Sequence, residues 1–151
     1  MFVRQCPLHC CIIVQSLSAS SIRVEEERSD RLLQTMPHMV MEYSRSLESR
    51  VDLTKMMDLA FEAGVRSGVM KAADIKVRAT PYDHVRLEGG LETFLHVSVF
   101  LLAGRTPEQK EHVSTLMRDS LADAFPMIGS ISIDIRDMDP VAYKKRVLPS
   151  V

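Results

Sequence analysis

Hydrophobic periodicity changes in the same order twice along this chain, and that double change restricts the fold more than any single motif. "PHMVMEYS" alternates: Met39, Met41 and Tyr43 face one way, His38, Val40 and Glu42 the other. "RSLESRVDLTKMMDLAFEAG" then shifts to helical spacing, with Leu53, Met56, Met57, Ala60 and Phe61 on one stripe. Asp52 is placed to cap that helix and Gly64 to stop it. "DIKVRAT" returns to alternation, with Ile75, Val77 and Ala79 opposite Lys76 and Arg78, and Pro81 ends it. "PYDHVRLEGGLE" reads as a hairpin or excursion punctuated by Gly89-Gly90.

The second half repeats the order. In "TFLHVSVFLLAG" every residue from Val97 to Leu102 is apolar except Ser98, which predicts a strand covered on both faces. "GRTPEQKEHVSTLMRDSLADAF" is the best-signalled helix. Thr106 is its N-cap, Pro107 takes the first helical position, and Gln109 completes a capping box. Val113, Leu116, Met117, Leu121 and Phe125 form its buried stripe, and Pro126 closes it. "GSISIDIRD" alternates Ile131, Ile133 and Ile135 inward with Ser130, Ser132 and Asp134 outward. "PVAYKKRVLPSV" is a basic tail that could cross to a neighbour.

Strand, helix, strand, used twice, gives two βαβ units. Each crossover should be right-handed and join parallel strands. Side by side they form an α/β (α+β) fold: a mixed four-stranded sheet with both helices on one face. The other face is expected to be apolar and open, which implies oligomerisation.

At 151 residues the chain has material for one domain with a substantial core. A formal net charge of −1 gives no reason to expect a nucleic-acid or membrane partner. No apolar run approaches the roughly 18 residues of a membrane span. Cys6, Cys10 and Cys11 all fall in the first eleven residues, which argues against a disulfide framework and fits a reducing, cytoplasmic compartment. "CPLHCC" with His9 suggests a metal, but Cys10 and Cys11 are adjacent and no second ligand pair follows, so no metal site is expected. Residues 1–35 sustain no period and read as a disordered extension or a mis-assigned start, with the working domain at 36–151. A targeting segment is the weaker alternative, because "EEE" is unusual in one.

"MPH" immediately before the first strand raises a chemical question. Inside a chain Pro37 is a restraint that opens a strand. At the start of a chain it is a secondary amine, with an unperturbed pKa of about 8, able to take and return a proton. Burial and nearby cations both disfavour its charged form and lower that value. Lys76, Arg78 and Arg105 are candidate cations, which would also hold an anionic substrate and stabilise developing enolate charge. Read without that chemistry, Lys76 and Arg78 are a wet strand face and Arg105 a solvated turn residue. His38, His84 and His96 are open to acid–base work, as are Tyr43 and Tyr143 to donating to an enolate, but structural roles are the commoner use of such residues. His38, next to Pro37, is the histidine best placed to line a pocket.

Taken together, "MPHMVMEYS" and "LLAGRTPEQKEHVSTLMRDSL" resemble the tautomerase superfamily over residues 36–147, and the two-unit layout is similar to its 5-carboxymethyl-2-hydroxymuconate isomerase family. That resemblance implies a homotrimer with sites at subunit boundaries. It implies proton transfer between carbons of an unsaturated dicarboxylate or tricarboxylate in aromatic-compound (homoprotocatechuate) catabolism, with no metal or cofactor. It makes Pro37 the general base once Met36 is removed, and Arg105 a substrate-carboxylate ligand. Lys76 stands where the family carries a substrate-binding arginine, and Arg78 matches a second one. Lysine there keeps the charge but loses the bidentate fork, so the substrate's identity is affected more than the reaction class. Two further readings stay open: a proline-based decarboxylase or hydratase of a small oxoacid, and a non-catalytic trimeric binding module with Pro37 blocked.

Overall fold

The computed structural model describes residues 36–146 and 148. The expectations for residues 1–35, the cysteines included, lie outside the described residues. Four strands form one sheet in the order β2-β1-β3-β4: β1 (His38–Ser44), β2 (Lys76–Tyr82), β3 (Phe94–Leu102) and β4 (Ser130–Met138). β1 pairs parallel with β2, β3 parallel with β4, and β1 antiparallel with β3. Helices α1 (Leu53–Arg66) and α2 (Pro107–Ala124) make the two crossovers. This is the expected fold, a mixed four-stranded sheet built from two βαβ units.

The alternation assigned to each strand sets which face meets the helices. Met39, Met41, Leu95, Val97, Val99 and Leu101 are fully buried against Met56, Ala60, Val113, Met117 and Leu121. Ile131, Ile133 and Ile135 of edge strand β4 pack against the same core. The α2 capping box is present as read, with Thr106 Oγ1 accepting from Gln109 N–H (3.3 Å) and Gln109 Oε1 accepting from Thr106 N–H (3.0 Å). The Asp52 carboxylate caps α1 by accepting from Thr54 N–H at 2.9 Å.

Four expectations change. Gly64 does not stop α1, which runs on to Arg66. An added Cβ at Gly64 would stand 2.5 Å from Met39 Cε, so this glycine lets the helix approach the sheet. Gly68, with φ 68°, lies just past the end and takes the left-handed position that glycine adopts at least cost. Pro81 lies inside β2, opposite Tyr43. It is tolerated because β2 is an edge strand. The open sheet face is mixed rather than apolar: Lys76, Arg78, Glu42, His96, Ser98, Ser132 and Asp134 share it with Val40, Phe94 and Phe100. Finally, the basic tail folds back on its own chain. Tyr143 meets His38, and Lys145 lies 3.5 Å from Asp74 just before β2. The tail therefore crosses one end of the sheet from the β4 edge to the β2 edge.

Candidate active site

Parallel pairing places the starts of β1 and β2 together, and the antiparallel β1–β3 contact brings the ends of β3 and β4 to the same end of the sheet. Pro37 opens this end. It is buried, and its carbonyl accepts from Lys76 N–H at 2.9 Å, which ties it to the first residue of β2. One row of side chains crosses the open face immediately beyond it: Lys76, His38, Phe100 and Arg136. Arg78 stands two residues further along β2 on the same face.

The local charge is positive. Lys76 and Arg78 project from the exposed edge strand, so both are solvated and available to an anion. The Arg136 guanidinium stacks 5.8 Å from the Phe100 ring centroid while donating to Asp134 at 2.6 Å. Arg105 follows β3 after Gly104, whose φ of 123° lets the chain turn there. Its Nη2 donates to the Val69 carbonyl at 3.3 Å, so it reaches toward the α1–β2 connection, not onto the open face. Burial lowers the Arg105 pKa and Asp137 opposes that, but a guanidinium remains charged across the accessible pH range.

His38 is the junction of the site. Tyr143 Oη lies 3.1 Å from its Nε2, and the two rings meet edge-on with centroids 5.9 Å apart. Arg78 Nη1 approaches Nδ1 at 3.4 Å. Burial lowers the His38 pKa below its ordinary value, and the charges of Arg78 and Lys76 lower it further.

The structure thus brings His38, Lys76 and Arg78 together on one face at the start of β1. It sets Arg105 at the same end of the sheet on the helix side. It does not bring in His84, His96 or Tyr43. His84 is exposed in the β2–β3 connection. His96 sits mid-sheet between Ser132 (2.7 Å) and Ser98 (3.2 Å). Tyr43 is buried toward the helices and donates to Glu48 at 3.0 Å. Tyr143, the other tyrosine named as a possible donor, does reach the site, through a contact with His38 that residue patterns do not reveal. It is one aromatic side chain in a polar tail, and only the return of that tail over the sheet places it on His38. Among the described residues no group of three or more His, Cys, Asp or Glu side chains could hold a metal ion. No helix there is long and apolar enough to cross a membrane.

A buried proline at the mouth of a cationic strand end suits proton transfer within an anion, provided its nitrogen is free. The family model described as 5-carboxymethyl-2-hydroxymuconate isomerase matches residues 37–147. Among solved structures, the chain is similar to a 5-carboxymethyl-2-hydroxymuconate isomerase from Deinococcus radiodurans, with 22% identity, a TM-score of 0.66, and 76% of this chain and 92% of that one covered. It is similar to a fused 4-OT asymmetric trimer, with 15% identity, TM-score 0.59, and coverage of 72% and 91%. It is also similar to a malonate semialdehyde decarboxylase inhibited by 3-bromopropiolate, with 24% identity, TM-score 0.56, and coverage of 72% and 88%. No curated protein matches the chain.

Proposed function

The chain belongs to the 5-carboxymethyl-2-hydroxymuconate isomerase family, and on that premise we propose that it is a cofactor-independent isomerase using the Pro37 amine as general base. The neutral amine takes a proton from one carbon of an unsaturated dicarboxylate or tricarboxylate. The electron pair released delocalises into a dienolate. The ammonium then returns the proton two atoms along, so the amine is regenerated and nothing is consumed. Lys76, Arg78 and Arg105 bind the carboxylates and stabilise the dienolate charge. The leading substrate is 5-carboxymethyl-2-hydroxymuconate, and the working assembly is a cytoplasmic homotrimer.

One observation carries this reading: the matched segment begins at Pro37, and Pro37 lies at the strand end that carries Lys76 and Arg78 on its open face, with Arg105 at the same end on the helix side. With Met36 attached, its nitrogen is a tertiary amide with no basic lone pair. In this reading the working chain begins at Pro37: residues 1–35 are absent, by translation from Met36 or by their removal, and Met36 itself is then cleaved. A small residue after an initiator methionine permits that methionine's removal.

Likeness to a decarboxylase structure favours a second reading, decarboxylation of a small oxoacid by the same amine. Such chemistry calls for an acidic partner to the base, and none is apparent in the sequence near Pro37. Incubating the Pro37-initiated protein with 5-carboxymethyl-2-hydroxymuconate and, separately, with malonate semialdehyde distinguishes the two. Proton migration detected by ultraviolet absorbance and deuterium exchange supports the isomerase. Carbon dioxide release from the oxoacid, with the dienol left unchanged, supports the alternative. No turnover of either, with Pro37 inert to 3-bromopyruvate, points to the non-catalytic module.

A further inference from the structure

We propose that Tyr143 is a hydroxyl donor of the active site, aimed by a hydrogen-bond relay that runs Arg78 to His38 to Tyr143. The inference rests on the proline-base reading only for what the hydroxyl meets, not for the relay itself.

The relay follows from which atoms can donate. A guanidinium has only donors, so Arg78 Nη1 facing His38 Nδ1 at 3.4 Å requires Nδ1 to be the acceptor. An imidazole whose Nδ1 accepts is neutral and carries its proton on Nε2. Nε2–H then donates to Tyr143 Oη, 3.1 Å away. The phenol oxygen is thereby the acceptor in that contact, and its own O–H remains to donate elsewhere. Among the described residues no other side chain takes that proton.

The surroundings keep the ring neutral. The titratable groups facing His38 are Lys76 and Arg78 from β2 and Tyr143 from the tail, while its β3 neighbour in the row is Phe100. Two cations and partial burial disfavour a third positive charge, consistent with its lowered pKa. The edge-on ring contact at 5.9 Å holds the phenol against the imidazole, and the tail itself is pinned on both sides of Tyr143. Tyr143 N–H donates to the Asp139 carbonyl at 3.0 Å, and Lys145 pairs with Asp74 at 3.5 Å.

The hydroxyl therefore stands beside the residue that follows Pro37, at the same strand end as Lys76 and Arg78. It supplies a neutral donor for a substrate carboxylate or a developing enolate oxygen. Three of the proposed substrate contacts are cations that attract any anion, whereas an oriented O–H selects by direction. His38 in this arrangement is a positioning residue, as is one nitrogen of Arg78, whose remaining donors stay available to substrate.

The test reads the relay and the ligand separately. In the Pro37-initiated protein, 15N spectra of His38 should show the Nε2–H tautomer near neutral pH. Arg78→Gln should convert it to a tautomer mixture while circular dichroism stays unchanged. Binding of the unreactive dicarboxylate probe cis,cis-muconate should weaken about tenfold in Tyr143→Phe, with the circular dichroism spectrum and the His38 tautomer unchanged. An Nδ1–H tautomer in the native protein overturns the relay, and unaltered muconate binding by Tyr143→Phe overturns the donor role. Failure of Pro37 to be alkylated by 3-bromopyruvate in the native chain counts against the proline-base reading alone, because neither the tautomer nor muconate binding depends on it.

Discussion

At Pro37 a secondary amine and a tertiary amide differ by one bond, and that bond decides whether this strand end can transfer protons. A chain carrying one extra residue before Pro37 should keep its fold and lose about 10²–10⁴-fold in kcat, the usual worth of a general base. Near-native turnover in that chain, measured by a continuous absorbance assay, would exclude the amine. In the proposed mechanism the cations act on binding and on the dienolate together. Arg105→Gln should lower kcat/KM by roughly ten- to a hundredfold, as expected for a hydrogen bond to a charged group. Lys76→Arg should lower KM about threefold by restoring a fork that grips a carboxylate at two points. His38 makes the protein acid-sensitive in a defined direction. Its folded-state pKa lies below the unfolded value of 6.5, so its contribution is intact above pH 6.5 and fades as pH falls through the lower, folded value. Thermal melts from pH 7.5 to 5 should therefore fall more steeply for the native chain than for His38→Gln. Parallel curves would show that His38 does not couple folding to pH.

The elements that hold these residues are local and strongly signalled. Thr106→Ala removes the side-chain half of the α2 capping box, the Thr106 Oγ1 that accepts from Gln109 N–H, and should cost about 1 kcal/mol in denaturant unfolding. Gly68→Ala should cost about as much, because an L side chain would occupy a left-handed conformation, and a cost near zero at either site would count against the assigned geometry. Strand faces, both crossovers and both helix N-caps were legible because each follows from spacing within one segment. Gly64 was misread because its reason is tertiary: Met39, Met70 and Ile75 crowd the position from outside the helix. Pro81 was misread because edge placement of β2 is a property of the sheet, not of "KVRATPY". In the site, Lys76 and Arg78 could be paired from strand alternation alone. The contact of Tyr143 with His38 could not, since 105 residues separate them and no periodicity links a tail to a strand.

Across the whole molecule, one sheet face is closed by helices and the other carries Val40, Phe94 and Phe100 among charged and hydroxyl side chains. Such a face suits a partly polar subunit interface better than a dry core. Phe94→Asp, at the end of that face remote from Pro37, should therefore convert the proposed trimer to monomers by light scattering while circular dichroism is retained. A trimer that persists would place the interface elsewhere. The proposed chemistry, unlike assembly, presupposes a chain that starts where the matched segment starts. The central claim is best tested by the intact mass of protein made from its native gene, before and after exposure to 3-bromopyruvate, with the modified peptide sequenced. The expected result is a chain beginning at Pro37 that gains one adduct on the Pro37 nitrogen and loses activity in step. A chain that retains residues 1–36, takes up no adduct at Pro37 and still isomerises at full rate would contradict it.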